Sequence, residues 1–216
     1  MKDFVNTVPA NDQMVASSVL SFLGKADAPI KILVLGNSIT RHGPKADIGW
    51  PHDWGMAASA PENDYVHRLF AKLTESGRNV LMRIHQSAGW ERTFLEPSCL
   101  DAYTDDKDFG ADVIIFRLGE NVLPENAPYL KDATVKFINY LKKDGTRLIF
   151  TTCIWEHPEK DAALKEAAAE FGAPVADILC TDDSMMALGL FEHEGVAGHP
   201  GDKGMEMIAD KIFELI

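Results

Sequence analysis

Short apolar segments alternate with helical patterns along this chain, and that alternation restricts the folds it can adopt. Five segments have the length and composition of strands: residues 30–35, 80–85, 113–118, 147–152 and 174–178. Several are nearly continuous in apolar residues, which is typical of strands covered on both faces. Strand–helix alternation implies right-handed crossovers and a parallel sheet. The sequence therefore predicts an α/β fold, a three-layer α/β/α sandwich with a flavodoxin-like parallel sheet of about five strands in the order 2-1-3-4-5.

Apolar residues at helical spacing predict the elements between these strands. Four such patterns cover residues 64–75, 129–142, 159–171 and 201–215. An earlier helix is predicted from about Asp12 to Leu23, with Gly24 ending it. We expect residues 1–216 to form one domain, with residues 1–28 as a helical extension packed on it. Two long stretches without clear periodicity, 40–63 and 87–110, follow carboxyl ends of strands, where open parallel sheets bind ligands.

Composition excludes several classes of partner. The net charge is −12, so nucleic acid is not expected to bind. No apolar stretch approaches the roughly 18 residues of a membrane-spanning helix, so no membrane partner is expected. Cys99, Cys153 and Cys180 are odd in number and widely spaced, which indicates neither a disulfide framework nor a metal site, and we expect no cofactor. The N-terminus does not resemble a signal peptide, which predicts a cytoplasmic protein, or a periplasmic or secreted one if a leader has been removed.

The segment Gly36-Asn37-Ser38-Ile39-Thr40 directly follows the first strand. Gly and Asn tolerate the backbone angles of a sharp turn. A serine at such a turn can present its hydroxyl and its backbone N–H together, as a nucleophile requires. The same serine could instead cap a following helix, because Ser is a preferred N-cap residue.

Three further residues lie at comparable places. Gly89 follows the second strand, Asn121 follows the third, and His199 precedes the last helix. In a sheet of the predicted order these residues converge with Ser38 on one edge, the layout of nucleophile, base and oxyanion donors that acyl transfer needs. Structural roles are the alternative: Asn121 could cap the turn after its strand, and His199 could cap the last helix.

These segments, in this order, resemble the SGNH hydrolases, also called the GDSL esterases and lipases. The matches are Gly36-Asn37-Ser38-Ile39, Gly89, Gly119-Glu120-Asn121 and His199-Pro200. The resemblance implies that Ser38 attacks an ester carbonyl and that His199 takes its proton. It also implies an oxyanion hole formed by the N–H groups of Ser38 and Gly89 and the side-chain amide of Asn121.

The chain departs from the family pattern at two positions. Asn37 stands where the family usually has Asp, and we interpret it as structural. Val196 stands where the family has the Asp that orients the catalytic His. Glu194 is the nearest acidic replacement and is our candidate for the third catalytic residue. A backbone carbonyl could orient the imidazole of His199 instead.

Other residues of the predicted active face are candidates for substrate contact. Trp54, Trp90 and Trp155, together with Trp50, fall in loops or at strand ends, where they suit a sugar ring or an acyl chain or simply pack. Arg41 could meet an anionic group. Arg117 lies in an apolar strand, where an unpaired charge is costly, so we expect Glu120 or Asp112 to pair with it.

The sequence thus predicts a serine esterase acting on small, acetyl-type acyl esters of a small molecule or a carbohydrate, with no metal or other cofactor. The alternative is a catalytically impaired carbohydrate-binding domain on the same fold. A flavodoxin-like or receiver domain is disfavoured because no phosphate-cradling loop or acidic pocket follows the first strand. Oligomeric state is left open.

Overall fold

The computed structural model describes residues 19–216, and a six-stranded sheet lies at its centre. The strands are β1 (Leu20–Gly24), β2 (Ile30–Gly36), β3 (Val80–Gln86), β4 (Val113–Arg117), β5 (Arg147–Thr151) and β6 (Val175–Ala176). Their order across the sheet is β1-β3-β2-β4-β5-β6. Strands β2 to β6 pair in parallel, in the order predicted for the five apolar segments. The predicted α/β fold is confirmed, with one strand more than expected.

The additional strand corrects the predicted early helix. Leu20–Gly24 pairs antiparallel with β3, with Leu20 opposite His85. A short apolar run fits a helix or a strand equally well by periodicity. Here the strand is favoured, because the backbone N–H and C=O groups at the free edge of β3 need hydrogen-bond partners. The helical interpretation is therefore wrong for residues 20–23, whereas Val19 is helical and the portion before residue 19 lies outside the described residues.

Seven α-helices lie wholly within residues 19–216. They are α1 (Tyr65–Glu75), α2 (Ala88–Thr93), α3 (Thr104–Phe109), α4 (Leu130–Leu141), α5 (Pro158–Glu170), α6 (Glu194–Ala197) and α7 (Asp202–Phe213). The four predicted helices correspond to α1, α4, α5 and α7. Helices α2 and α3 occupy the stretch 87–110, so that stretch is partly helical rather than a plain loop.

The sheet is covered on both faces, because alternate residues of a strand point to opposite sides. On β2, Leu33 and Leu35 belong to one buried cluster with residues of α4 and α5. Ile32 and Val34 belong to a second cluster with residues of α1 and α7. None of the helices in residues 19–216 has the length and apolar character needed to cross a membrane.

The long stretch between β2 and α1 has a small core of its own. Trp50 is fully buried and packs with Met56 and Ala57 of the same stretch and with Ala187 and Val196 from near the C-terminus. This packing fixes the segment that follows Ser38, since the Met56 N–H donates to the Ser38 carbonyl at 2.9 Å.

Candidate active site

Ser38 lies in a turn immediately after β2. The N–H groups of Thr40 and Arg41 both donate to the Asn37 carbonyl, at 2.9 and 3.0 Å. Gly36 is required before this turn, because a Cβ at that position would overlap the Thr40 side chain. No helix begins at Ser38; residues 38–40 are turn, so the interpretation of Ser38 as a helix cap is wrong.

The structure brings His199 to Ser38 from the other end of the chain. The Ser38 Oγ lies 2.8 Å from Nε2 of His199. Nδ1 of His199 lies 2.7 Å from the Gly195 carbonyl oxygen, which can only accept, so Nδ1 carries the proton. Nε2 is then the free acceptor for the Ser38 hydroxyl proton. The N-cap of α7 is Gly201, so the interpretation of His199 as its cap is wrong.

Glu194 does not hold His199, and that prediction is wrong. Glu194 is exposed at the start of α6, and its backbone carbonyl accepts from the Gly198 N–H at 2.8 Å. No hydrogen bond or ion pair joins Glu194 to His199 in the described part of the chain. The Gly195 carbonyl instead accepts the hydrogen bond from Nδ1 of His199, which agrees with the alternative that a backbone carbonyl orients the imidazole. Val196, at the family's acidic position, is fully buried in the small core around Trp50.

The surroundings of His199 favour its neutral form. Burial lowers the pKa of His199 to about 4, and the Gly195 carbonyl only partly offsets this effect. A neutral imidazole with a free Nε2 is the form that can accept a proton, so His199 has the form of a base throughout the neutral range.

The two other candidate oxyanion donors, Gly89 and Asn121, lie on neighbouring segments. Gly89 is the second residue of α2, so its N–H lies in the first turn and has no acceptor within its own helix. The start of α2 is tied to the turn before Ser38, because the Ser87 N–H donates to the Gly36 carbonyl at 2.6 Å. The Asn121 side chain donates to Glu91 Oε2 at 2.6 Å rather than to its own turn, so the interpretation of Asn121 as a turn cap is wrong. Its amide keeps a second N–H.

No protein-family model and no curated protein matches the sequence. Among solved structures, the chain is similar to a family 3 carbohydrate esterase from Clostridium thermocellum, with 16% identity, a TM-score of 0.56, and coverage of 86% of this chain and 94% of that chain. It is also similar to a protein assigned to the lipolytic G-D-S-L family from Desulfitobacterium hafniense DCB-2, with 12% identity, a TM-score of 0.51, and coverage of 86% and 99%. A third is a protein assigned as an SGNH hydrolase from Slackia heliotrinireducens, with 16% identity, a TM-score of 0.54, and coverage of 86% and 98%.

The chain has the fold of the SGNH hydrolases. At these identities the similarity concerns the fold, and the chemistry depends on the residues themselves.

A buried charged group lies beneath the serine turn of this SGNH fold. The fully buried Arg117 pairs with Glu120, with Nη2 2.6 Å from Oε1. Burial raises the pKa of the Glu120 carboxyl, but Arg117 and the donors around it outweigh burial, so the net shift is downward. Glu120 is therefore the partner of Arg117, whereas Asp112 pairs with Lys143.

Asn37 fits this group as an amide and not as the Asp usual in SGNH hydrolases. Its Oδ1 accepts from Arg117 Nη1 at 2.9 Å, and its Nδ2 donates to Glu120 Oε2 at 2.6 Å. An Asp at this position would place a second carboxylate against Glu120 without a proton between them. The structural interpretation of Asn37 is confirmed.

The candidate substrate tryptophans have different environments. Trp155 is half-buried and packs edge-on against His199, with ring centroids 5.6 Å apart, while its Nε1 donates to the Gly198 carbonyl. Trp54 is half-buried and stacks on His52 at 4.0 Å. Trp90 is 2% exposed and packs against Phe116 in the core, so the prediction that it contacts substrate is wrong.

Arg41 lies beside the serine turn and already has an anionic partner. Its Nη2 is 3.1 Å from Asp53 Oδ2, and 13% of its side chain is exposed. A role in holding an anionic substrate stays a prediction, and any such substrate would compete with Asp53.

Sequence reasoning missed two residues of this region. His42 is buried, its Nδ1 lies 2.6 Å from the Gly43 carbonyl, and burial lowers its pKa. A charge on His42 would in turn lower the pKa of His199. Glu91 is fully buried and contacts Asn121, and its place two residues after Gly89 was the available signal. Within residues 19–216, no group of three or more His, Cys, Asp or Glu side chains is arranged to hold a metal ion.

Proposed function

We propose that this protein is a serine esterase that hydrolyses small, acetyl-type acyl esters, with esters of carbohydrates as the first class to test. The observation that carries the proposal is the 2.8 Å contact between Ser38 Oγ and His199 Nε2, with Nδ1 anchored on a carbonyl. That arrangement is a nucleophile within reach of an oriented neutral base. The carbohydrate part rests on the similarity of fold to a carbohydrate esterase and on the half-buried Trp54 and Trp155.

The proposed reaction has two steps. Ser38 Oγ bonds to the ester carbonyl carbon while His199 Nε2 takes the hydroxyl proton. The tetrahedral oxyanion accepts hydrogen bonds from the N–H groups of Ser38 and Gly89 and from the second amide N–H of Asn121. The C–O bond to the alcohol breaks and His199 protonates the departing oxygen, which leaves an acyl group on Ser38. Water then attacks this acyl-enzyme with His199 again as base, and releases the carboxylic acid and free Ser38.

Two reagents test the proposal. A fluorophosphonate probe reports an activated serine, and p-nitrophenyl acetate reports turnover of a small acyl ester. We expect wild type to react with both, Ser38→Ala with neither, and the exposed-serine control Ser98→Ala to match wild type. Absence of Ser38-dependent labelling and turnover would overturn the proposal that the protein is an esterase. Binding of a glycan without hydrolysis, in wild type and in Ser38→Ala alike, would instead support the carbohydrate-binding alternative.

A further inference from the structure

Glu91 is a fully buried carboxylate that the proposed reaction does not use. It lies in the short helix α2, on the side that faces the loop after β4. Four hydrogen bonds reach its two oxygens. Oε1 accepts from the N–H of Gly119 at 2.6 Å, the N–H of Asn121 at 3.2 Å and Nδ2 of Asn37 at 3.3 Å, and Oε2 accepts from Nδ2 of Asn121 at 2.6 Å.

All four partners of Glu91 are donors. A carboxylate accepts at both oxygens, whereas a neutral acid or an amide presents a hydrogen on one side. These four donors therefore suit the ionised form of Glu91, and burying a charge is costly unless it is hydrogen-bonded in this way. Because burying the Glu91 carboxylate is costly, we expect it to have a role beyond filling the core.

We propose that Glu91 is the positioning residue that fixes the Asn121 amide as an oxyanion donor, an inference that rests on the proposed esterase function. Glu91 takes one Nδ2 hydrogen of Asn121 and so leaves the other in a fixed direction. By also holding the Asn121 and Gly119 N–H groups, the carboxylate fixes the backbone from which that side chain projects. The rotation of the amide about its last bond is thereby removed.

The position of Glu91 also links two of the candidate donors. Gly89, whose N–H is the second donor, lies two residues earlier in the same helix. A displacement of α2 would therefore move Gly89 and, through Glu91, Asn121 together. One turn of helix thus sets the spacing between a backbone donor and a side-chain donor that come from different segments.

The test compares Glu91→Gln with Glu96→Gln, which removes an exposed carboxylate just beyond the same helix. Loss of an oxyanion donor typically lowers kcat by about 10²–10³. For a donor that is misdirected rather than removed we expect Glu91→Gln to lower kcat by about 10- to 100-fold with KM nearly unchanged, and Glu96→Gln to match wild type. Unchanged kcat in Glu91→Gln would overturn the proposal.

A double variant separates positioning from a general structural role. If Glu91 acts through Asn121, Glu91→Gln should lower kcat little further in an Asn121→Ala background. Effects that multiply fully in Glu91→Gln/Asn121→Ala would overturn the proposal. Wild type that turns over no ester in a Ser38-dependent way would instead mean that the esterase function itself has failed.

A measurement on the wild type covers the case in which Glu91→Gln does not fold. The Asn121 side-chain amide is assigned in a ¹⁵N-labelled protein by its absence from Asn121→Ala. A bond to a carboxylate at 2.6 Å should shift one of its two protons strongly downfield and slow its exchange with water. Two protons with the shifts and exchange of a solvent-exposed amide would overturn the proposal.

Discussion

The Gly195 carbonyl oxygen lies 2.7 Å from Nδ1 of His199, at the place where a carboxylate orients the histidine in a Ser-His-Asp triad. A carbonyl fixes the tautomer and the ring direction as a carboxylate does. It brings no full negative charge to stabilise the imidazolium that forms during the reaction. The candidate site is therefore a Ser-His dyad with a backbone anchor, and its properties should differ from those of a triad.

The dyad predicts that Glu194 is dispensable. Glu194→Gln should keep kcat/KM for p-nitrophenyl acetate within about twofold of wild type, because its exposed carboxylate does not contact His199. His199→Ala, measured alongside it, should lose activity by several orders of magnitude. A large loss in Glu194→Gln would show that a carboxylate moves to Nδ1 during turnover.

The pH dependence of Ser38 labelling should follow the protonation state of His199. Burial lowers the pKa of His199 to about 4, and only the neutral imidazole accepts the Ser38 proton. The rate of Ser38 labelling by a fluorophosphonate should therefore persist well below pH 6.5 and be lost as the pH falls through about 4. Measured rates from pH 3.5 to 8 check this. A complete loss of labelling centred on the ordinary value near 6.5 would contradict it.

Trp155 should contribute to that shift, because it packs edge-on against the imidazole. Trp155→Ala should admit water to the ring and move the acid limb of the labelling rate upward from about 4 toward 6.5. Trp155→Phe is the comparison variant, since it keeps an aromatic ring at this position while it removes the hydrogen bond to the Gly198 carbonyl. Identical limbs in Trp155→Ala and wild type would assign the burial of His199 to other residues.

Protonation of Glu91 should cause a second, partial decrease in kcat, at a higher pH than the protonation of His199. Burial, and then Glu120, raise the pKa of Glu91 to about 7, and Glu91 also interacts electrostatically with Tyr103 and Cys153. As the pH falls through about 7, the carboxyl takes up a proton and one of its four donors loses its acceptor. We expect kcat to fall several-fold there, ahead of the loss near pH 4. The step should be absent from Glu91→Gln, and its persistence in that variant would assign it to another group.

Asn37→Asp introduces the residue usual in SGNH hydrolases and should destabilise this chain. The new carboxylate would face Glu120 at the position where Nδ2 now donates at 2.6 Å. We expect a loss of about 3 kcal/mol in the free energy of unfolding, measured in urea, because a buried hydrogen bond is replaced by repulsion between two carboxylates. The control Asn79→Asp, at an exposed site, should leave the free energy nearly unchanged. Equal stability of both variants would refute the role given to Asn37.

The order of strands and the place of Ser38 could be predicted from the sequence. Runs such as 30–35 are apolar because both faces of a central strand are buried, and that requirement is visible in adjacent residues. Gly36 and Asn37 mark the turn locally, and Ser38 follows them in the chain. The pairing of Arg117 with Glu120, three residues apart, is likewise close in sequence.

Only the tertiary structure decided the contacts between distant segments. Residues 20–24 pair with β3 because β3 has a free edge, which the segment's own pattern does not reveal. Trp90 enters the core while Trp155 reaches His199, because each side chain follows the packing of its element. The anchor of His199 is a backbone carbonyl, a group that every residue has, so no residue type in the sequence identifies it.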